Sequence, residues 1–468
     1  MVANITRRNF FNAALVIPLF GMAGATGAAT RLVSEAVSVL DFRLPRDVDD
    51  TEAFQRAIFT HKPVYIPAGR GLGASGAYLV RDLTLIAGAD LFGDGAGQTV
   101  LRPNDTDAAF YCDSGSSNSR IVSIRISDLT IEGWVLKHGF AEHRHLLHLN
   151  GVQDVLIENV EFKGFQGDGV YLGSGRQAGL VRHNRNVTIR RCIFDGINNN
   201  NRNGISVIDG EQIHIEDCTF QNCTRANMPG AIDFEPDETK SAIIRDITIQ
   251  RCGFFNVGGN LGVISFQIPR QVFSLPSQIL ISNNLFQNYQ GTGSELHFNV
   301  NRTITAQHPS MDVVIKGNRG SGGQWIYAFY AANGVRVTGN YWENYKQGAM
   351  IGFTSANQLA RNIEISDEFV ECGQISGVGI YILNVSRLTL SDCRIVDCGN
   401  GSATSYGICF ANGKSEFVTM TGLQISSPRK RTRVAIIREQ LHKLSPTTNV
   451  QLRNNFGGLP GIDISKPV

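Results

Sequence analysis

The sequence predicts an all-β fold, a single-stranded parallel β-helix with a short N-terminal capping helix. One short pattern recurs along the chain: alternating apolar residues, two polar residues, a Cys or Asn, and often an aromatic residue. It starts at Val155, Val187, Ile213, Ile247, Ile279, Val313, Val335, Ile363, Leu388 and Val418. The intervals of 22 to 34 residues fit one turn of about three short strands. No segment between the repeats has the apolar spacing of an amphipathic helix.

Each repeat alternates with a period of two, so each is expected to be a strand with one buried face. Without crossover helices, parallel strands must follow one another by coiling, and like residues then stack about 4.8 Å apart. The repeats align one such column: Val160, Cys192, Cys218, Cys252, Asn284, Asn318, Asn340, Glu368, Cys393 and Leu423. We expect this column at an inward-facing turn, where Asn adopts left-handed geometry and Cys packs as a small apolar group.

Composition agrees with a turn-rich β protein, since the chain has 50 Gly, 3 Trp and 42% hydrophobic residues. The formal net charge of +2 predicts neither a nucleic-acid nor a membrane partner. One basic stretch, Arg429 to Arg433, is read as a solvated turn in preference to a site for an anionic polymer. The nine cysteines are expected mainly as packed thiols, because several stack in the ladder and do not have the spacings of a disulfide framework. No metal site is predicted, and the His-rich segment from Glu142 to His148 lacks convincing ligand spacing.

The first 29 residues have the composition of an export signal. Arg7 and Arg8 precede an apolar run from Ala13 to Ala23, and small residues follow. This segment resembles a twin-arginine signal, which predicts the twin-arginine translocase as a partner and a periplasmic or secreted bacterial protein. An ordinary secretory signal is the alternative. No later stretch reaches the 18 apolar residues expected of a membrane span.

Residues 39–103 contain three motifs: VLDFRLPRDVDDTEAFQRAI (39–58), VYIPAGRG (64–71) and LTLIAGADLFGDGAGQTVLRP (83–103). They resemble the opening of the pectate lyase superfamily, which includes tailspike-like and polygalacturonase-like members. The resemblance implies a right-handed β-helix and a carbohydrate-active protein, without fixing the reaction. It also implies a capping helix from about Glu52 to Thr60, with Asp50 or Thr51 as N-cap. We expect the cap and first turns over 30–105, the β-helix over 106–425, and terminal turns over 426–468.

A second strand in each turn indicates which side chains point outward. In AIDFEP (231–236), inward Ile232 and Phe234 place Asp233 and Glu235 together on the outer face. Neighbouring turns supply further polar residues to this face, which we call the outward ridge: Arg202, Ser206, Ser265, Gln267, Glu295, His297, Asn299, His148 and Asn150, with Asp168 just before its strand. The later turns have no charged residues at the equivalent positions. This concentration of polar side chains points to a functional site.

Asp233 and Glu235 are the predicted catalytic pair of a glycoside hydrolase, because neighbouring carboxylates raise one pKa and so form an acid and a base. Side-chain separations of about 6.5 to 9.5 Å suit inversion, and about 5 Å suits retention. His297 and Glu295 are further catalytic candidates. The substrate-binding candidates are Arg202, Asp168, Gln267, Asn299, His148 and Tyr171, and Tyr327 and Tyr381 are also candidates for stacking on sugars.

Several alternatives stay open. A lyase acting on uronic acids could use Arg202 and His297, a C5 epimerase would change configuration without shortening the glycan, and a non-catalytic β-helix would only bind glycan or a partner protein. No cofactor is predicted, although Ca²⁺ is possible because Asp233, Glu235, Glu295 and Asp168 supply carboxylate oxygens. The partner is a polysaccharide, whose identity and linkage the sequence leaves open. Both a monomer and a trimer are compatible with the sequence.

Overall fold

The computed structural model describes residues 35–104, 108–115, 119–177, 180–237, 240–352, 359–373, 377–444 and 459. The described residues from Val37 onward form one compact unit. The predicted export signal, residues 1–29, lies outside the described residues, as do residues 445–458 and 460–468 of the predicted terminal turns.

The described residues contain two α-helices, α1 (Thr51–Ile58) and α2 (Val135–His138), and 3-10 helices at Val39–Phe42 and Ala74–Gly76. The first strands are β1 (Val37–Ser38), β2 (Val64–Ile66), β3 (Tyr78–Val80), β4 (Leu83–Thr84), β5 (Asp90–Gly93), β6 (Val100–Pro103), β7 (Phe110–Asp113), β8 (Val122–Glu132), β9 (Leu147–Asn150), β10 (Gln153–Lys163), β11 (Val170–Gly173), β12 (Gly175–Gln177) and β13 (Leu180–Arg182). The middle strands are β14 (Asn184–Arg190), β15 (Ile193–Asp195), β16 (Ile205–Val207), β17 (Gly210–Glu216), β18 (Thr219–Gln221), β19 (Ile232–Phe234), β20 (Ile244–Gln250), β21 (Gly253–Phe255), β22 (Gly262–Ile268), β23 (Ser277–Ser282), β24 (Leu285–Gln287), β25 (Ser294–Val300) and β26 (Val313–Lys316). The last strands are β27 (Arg319–Ser321), β28 (Trp325–Tyr330), β29 (Asn333–Thr338), β30 (Tyr341–Glu343), β31 (Ala349–Ile351), β32 (Ala360–Ser366), β33 (Phe369–Glu371), β34 (Val378–Ser391), β35 (Arg394–Val396), β36 (Tyr406–Thr421), β37 (Gln424–Ser426), β38 (Val434–Arg438) and β39 (Lys443–Leu444).

Strand pairing confirms the predicted parallel β-helix. Every ladder of the large sheet is parallel, and each strand pairs with the equivalent strand one turn later, so the chain winds through about 13 turns. Three faces result. The first runs through β14, β17, β20, β23, β26 and β29, the second through β15, β18, β21, β24, β27 and β30, and the third through β11, β16, β19, β22, β25, β28 and β31. Only β12 and β13 form a separate antiparallel pair among the described residues.

Stacked aromatic rings fill the interior. The rings of Phe162, Phe194, Phe220, Phe254 and Phe286 follow one another at centroid distances of 4.9, 4.7, 5.0 and 4.9 Å. These distances match the spacing of hydrogen-bonded strands, because each ring comes from the equivalent position of the next turn. A second stack on the third face is formed by Phe234, Phe266 and Phe298.

The predicted Cys and Asn column is indeed interior, since its members are at most 2% exposed. The left-handed geometry expected at the column members is found one residue earlier in the chain, however. The residues with positive φ directly precede the column members and include Arg191, Asp217, Arg251 and Asn283 at φ of 52 to 55°. The turn therefore bends before the column, and the Asn side chains serve as hydrogen-bonding groups instead.

The asparagines of the column form a hydrogen-bonded ladder inside the coil. Asn318 accepts at Oδ1 from the backbone N–H and Nδ2 of Asn284, both at 3.0 Å, and its own Nδ2 donates to Asn340 Oδ1 at 2.8 Å. Glu368 ends this ladder by accepting from Asn340 at Oε1 and from the Tyr327 hydroxyl at Oε2. Tyr327 is thus buried in the core, and the expectation that it stacks on a sugar is wrong.

We expect Asn318→Ala to lower the free energy of unfolding by about 1 to 3 kcal/mol, because Asn284 and Asn340 each lose a buried hydrogen bond to its side chain. Urea unfolding followed by circular dichroism measures this loss. Exposed Asn301 is the matched control, and Asn301→Ala should change stability by less than about 0.5 kcal/mol. Equal effects of the two substitutions would contradict a stabilising ladder.

The predicted capping helix exists, as α1. Phe54, Ala57 and Ile58 are buried and extend the interior core. Asp50 occupies the N-cap position, but its carboxylate does not cap the helix. It accepts instead from the backbone N–H groups of Leu72 and Leu79, at 2.9 and 3.0 Å, because it is buried next to the first turns.

The cysteines and the basic stretch both have structural roles. All nine cysteines are buried as free thiols. Arg429 binds Glu371 at 2.6 Å, and its backbone N–H donates to Asp397, which agrees with the interpretation of the basic stretch as a turn. No helix within the described ranges has both the length and the apolar character to cross a membrane.

Candidate functional site

Outward side chains of the third face form a continuous column through eight turns. Backbone register places these residues side by side: Tyr111, His148, Tyr171, Ser206, Asp233, Ser265, His297 and Ala328. The column is the centre of the predicted outward ridge. Polar side chains therefore meet on one surface because the turns stack, although they are far apart in sequence.

Asp233 lies on the outward side of β19, between inward Ile232 and Phe234, but it is only 1% exposed. The Ser265 hydroxyl donates to its Oδ1 at 2.7 Å, whereas Oδ2 has no hydrogen-bond partner. Burial raises the pKa of Asp233 well above its ordinary value, and the nearby charge of Glu235 raises it further. Ser265 and Arg202 oppose this shift. The sequence predicted the outward direction but not the burial, because alternation does not reveal what covers a strand.

Glu235 directly follows β19 and is exposed. It lines a cleft of about 340 Å³, whose polar lining consists of Glu142, His143, His145, Tyr171, Arg202, Glu235 and Asp237. The two carboxyl groups of the predicted pair thus occupy opposite environments. Glu235 is open to a ligand in the cleft, and Asp233 is buried next to it.

Asp168 is fully buried and joins two of the cleft residues. Both of its carboxylate oxygens accept from Arg202 Nη1 at 2.9 Å, and Oδ2 lies 3.1 Å from Nδ1 of His145. Burial alone would raise the pKa of Asp168, but Arg202 and His145 hold it below its usual value. Arg202 also donates to Ser206 at 3.1 Å and lies 3.8 Å from Glu142. Arg202 therefore holds Asp168 in place.

Aromatic rings form one end of the cleft. Tyr171 stacks on His145 with centroids 4.4 Å apart, and His148 meets both rings edge-on. His148 also contacts Asn150 at 3.2 Å. Burial lowers the pKa of His148 to about 4, and neighbouring His145 contributes to the shift, so His148 is neutral at physiological pH. Flat rings of this kind are suited to contact with the apolar face of a sugar.

Glu295 does not lie on the outward ridge as predicted. It is fully buried, its Oε1 accepts from the Tyr345 hydroxyl at 2.8 Å, and its Oε2 has no partner. Burial raises the pKa of Glu295 to about 8. The prediction failed because Glu295 stands near the start of β25, at a corner of the coil where a tyrosine from a later turn covers it.

The buried carboxyl of Glu295 predicts a pH-dependent stability. Its folded pKa of about 8 exceeds its ordinary 4.5, so the folded protein keeps a proton that the unfolded chain releases. Stability should fall as pH rises from about 4.5 to 8, by at most about 1.4 kcal/mol per pH unit from this group. Glu295→Gln should reduce the fall, measured as the urea midpoint at pH values across this window. Some decline will remain, because burial also raises the pKa of Glu368 to about 7.

The control for this prediction is Glu364→Gln, which alters a half-exposed carboxylate on the first face. It should leave the decline of the urea midpoint intact. The same decline in Glu295→Gln as in the unaltered protein would contradict the assignment.

The remaining ridge residues continue the column beyond Asp233. His297 is 6% exposed, its Nε2 has no hydrogen-bond partner, and burial lowers its pKa to about 4. Gln267 and Asn299 pair in register and are half-buried. These three residues lie one or two turns from Asp233.

The four carboxylates considered for calcium do not gather in one place. Asp168 binds Arg202 and Glu295 binds Tyr345, whereas Asp233 lies near the charges of both Glu235 and Asp168. Across the part of the chain that the structure describes, no three His, Cys, Asp or Glu side chains are grouped so that they could hold a metal ion.

Sequence reasoning missed part of the cleft. Glu142, His143 and His145 lie in the turn before β9, and the sequence placed none of them at the site. Turn residues follow no alternation, so their direction is not readable from the pattern. A usable signal was the density of His and charged residues in that turn, directly before ridge residue His148.

Fold and site together define a parallel β-helix with a polar, aromatic-lined cleft on one face. Residues 37–253 match the family described as rhamnogalacturonase A/epimerase, pectate lyase-like, and residues 272–455 match the right-handed β-helix region family. These matches support the pectate lyase-like superfamily predicted from the sequence, and the second agrees with the right-handed coil. No curated protein matches the chain.

Solved structures with a similar architecture come from phages and bacteria. The N-terminal fragment of bacteriophage phi29 gene product 12 is 17% identical, with 86% of this chain and 71% of that chain covered and a TM-score of 0.48. Tailspike protein 3 of bacteriophage CBA120 is 15% identical, with coverages of 91% and 62% and a TM-score of 0.46. The mannuronan C-5 epimerase AlgE4 A-module of Azotobacter vinelandii is 16% identical, with coverages of 91% and 100% and a TM-score of 0.37. Similarities at this level carry no argument about chemistry.

Proposed function

We propose that this protein cleaves glycosidic bonds of a polysaccharide in the cleft, with Asp233 as the general acid and Glu235 as the general base or nucleophile. One observation carries the proposal: the carboxyl groups of Asp233, in β19, and of Glu235, directly after it, stand in opposite environments. Burial and the neighbouring Glu235 raise the pKa of Asp233 and so favour its protonated form, whereas Glu235 is exposed in the cleft. Paired carboxyl groups set apart in this way are the usual machinery of glycoside hydrolysis.

The proposal requires a bound glycan to reach Oδ2 of Asp233, the oxygen without a protein partner. Proton transfer from this oxygen to the leaving oxygen would assist bond cleavage, and Glu235 would activate water or attack the sugar directly. Tyr171 and His148 would contact sugar rings, and Gln267, Asn299 and His297 would bind hydroxyls along the coil. Arg202 and Asp168 would hold the wall of the cleft in place.

A second candidate is a lyase, and the state of His297 favours it. The pKa of His297 is lowered to about 4 by burial, and its Nε2 has no partner, so a neutral imidazole would be available as a base for β-elimination. The commitment of Arg202 to Asp168 counts against this candidate, because a lyase needs a cation for the uronate carboxylate.

Incubation of the protein with a panel of neutral, acidic and amino-sugar polysaccharides tests the proposal. Hydrolysis would release reducing ends without absorbance near 235 nm, which is the signature of the unsaturated lyase product. An epimerase would change sugar configuration without shortening the chain. Binding without any of these changes, for every polysaccharide tried, would reject an enzyme in favour of a glycan-binding β-helix.

We also propose that residues 1–29 direct export through the twin-arginine translocase, so that the protein works in the periplasm or outside the cell. The paired Arg7 and Arg8 before an apolar run support this proposal. Replacing both arginines with lysines should retain the protein in the cytoplasm. Fractionation that finds the variant exported as before would point to the general secretory route.

A further inference from the structure

Two of the nine cysteines face each other across neighbouring turns. Cys372 directly follows β33, and Cys398 lies two residues after β35, the equivalent strand one turn later. Both side chains are fully buried, and the Cys372 thiol donates to the sulfur of Cys398 at 2.7 Å. The backbone N–H of Gly399 also donates to the carbonyl of Cys372. Main chain and side chains of the two turns are therefore in contact at this corner of the coil.

A difference in register explains why these two side chains converge. In a regular parallel ladder, equivalent side chains point the same way and remain about 4.8 Å apart, as the strands do. Here Glu371 pairs with Val396, so Cys372 stands opposite Asp397, and Cys398 comes one residue later. Asp397 has a left-handed φ of 49°, which turns the chain just before Cys398. This offset lets the two cysteine side chains approach each other instead of lying parallel.

Cys192 and Cys218 show the regular arrangement. They are 26 residues apart, as are Cys372 and Cys398, and they also occupy neighbouring turns. The strands before and after them pair without an offset. Their thiols donate to main-chain carbonyls, of Arg190 at 3.3 Å and of Glu216 at 3.2 Å. Cys192 and Cys218 are therefore a matched comparison for a pair whose thiols meet.

We propose that Cys372 and Cys398 form a disulfide bond that joins and stabilises the two turns when the protein meets a disulfide oxidant. The main chains of neighbouring turns are about 4.8 Å apart, inside the range of about 4.4 to 6.8 Å that a disulfide spans between Cα atoms. Such oxidants are present in the periplasm, where the export signal would bring the protein. Neither cysteine lines the cleft, so the bond is distinct from the proposed cleavage of a glycan.

Two exchange steps form the bond. The thiolate of one cysteine attacks the disulfide of oxidised glutathione or of an exchange protein, which releases one thiol and leaves a mixed disulfide. The second cysteine then attacks the sulfur of the first, and the second thiol of the oxidant leaves. The pair loses two electrons and two protons, and the oxidant gains both. Burial raises the pKa of Cys372, so its thiolate is scarce in the closed fold, and exchange occurs while these turns assemble or open.

Mass spectrometry of the unaltered chain tests the cross-link. The full chain is produced in a bacterial host whose cytoplasm permits disulfide formation, so that it folds in the presence of the oxidant. It is then unfolded in N-ethylmaleimide without reductant, which caps free thiols, and digested. We expect a peptide pair joined through Cys372 and Cys398 in most molecules, with Cys192 and Cys218 alkylated. Alkylation of both Cys372 and Cys398 in most molecules would overturn the inference, as would an equal yield of a cross-link between Cys192 and Cys218.

Urea unfolding with and without a reductant measures the contribution of the bond to stability. A disulfide between residues 26 apart should raise the midpoint by about 0.5 to 1 M urea relative to the reduced protein. Reductant should leave the midpoint of Cys372→Ala unchanged, whereas Cys192→Ala should keep the full response, although both substitutions remove a buried thiol. A response to reductant in Cys372→Ala, or none in the unaltered protein, would contradict a stabilising cross-link.

Discussion

Asp233→Asn should lower the rate of glycan cleavage by about 10² to 10⁴-fold, the usual cost of removing a positioned general acid. Asparagine has the same shape and can still accept from the Ser265 hydroxyl, so folding should be preserved. It cannot supply the proton. Initial rates of reducing-end release at saturating glycan measure the effect, and circular dichroism checks the fold.

Glu235→Gln should cause a loss of similar size, and the double variant should be little worse than either single variant, because the two groups act in one step. The rate of the unaltered enzyme should fall as pH rises through the elevated pKa of Asp233, since the general acid must be protonated. Glu364→Gln is the matched control, because it neutralises a strand carboxylate on another face, paired with Arg336. Full activity of Asp233→Asn and Glu235→Gln would reject the catalytic pair.

Asp168→Asn should have the largest effect on stability. The substitution leaves the charge of Arg202 buried without its partner, and breaking a buried ion pair in this way costs about 3 to 5 kcal/mol. It also weakens the contact that fixes His145. Urea unfolding followed by circular dichroism measures the loss, and the double variant Asp168→Asn, Arg202→Gln should recover part of it because the orphaned charge is gone.

The same control serves this prediction. The Arg336 and Glu364 side chains are 62% and 47% exposed, and an exposed ion pair contributes no more than about 1 kcal/mol. Glu364→Gln should therefore have a small effect. A loss below about 1 kcal/mol in Asp168→Asn would show that Asp168 does not anchor the wall of the cleft.

The sequence repeat was sufficient to predict the fold. A period of two predicts strands, and parallel strands without connecting helices can follow one another only if the chain coils. It also placed Ile232 and Phe234 inside and Asp233 on the outer side of its strand, as observed. Direction within a strand follows from pleating, which is a local property. The position of the left-handed turn was missed by one residue because the repeat alone does not report backbone torsion.

The repeat did not predict most of the environment of the site. The burial of Asp233 and Glu295, and the binding of Arg202 to Asp168, depend on residues that arrive from other turns. His145 is the clearest case, since it reaches Asp168 from a segment 23 residues earlier. Alternation fixes what a strand presents to each side, but the covering of that surface depends on corners and loops, whose geometry has no period.

Because each phenylalanine of the interior stack packs against its counterparts one turn before and after, the coil can be lengthened by duplication of a whole turn. A new copy would meet the same neighbours as the old one, and existing contacts would merely move outward along the axis. Insertions within a corner loop would leave the stack untouched and alter only the walls of the cleft. Core and binding surface can therefore diverge separately in descendants of such a chain.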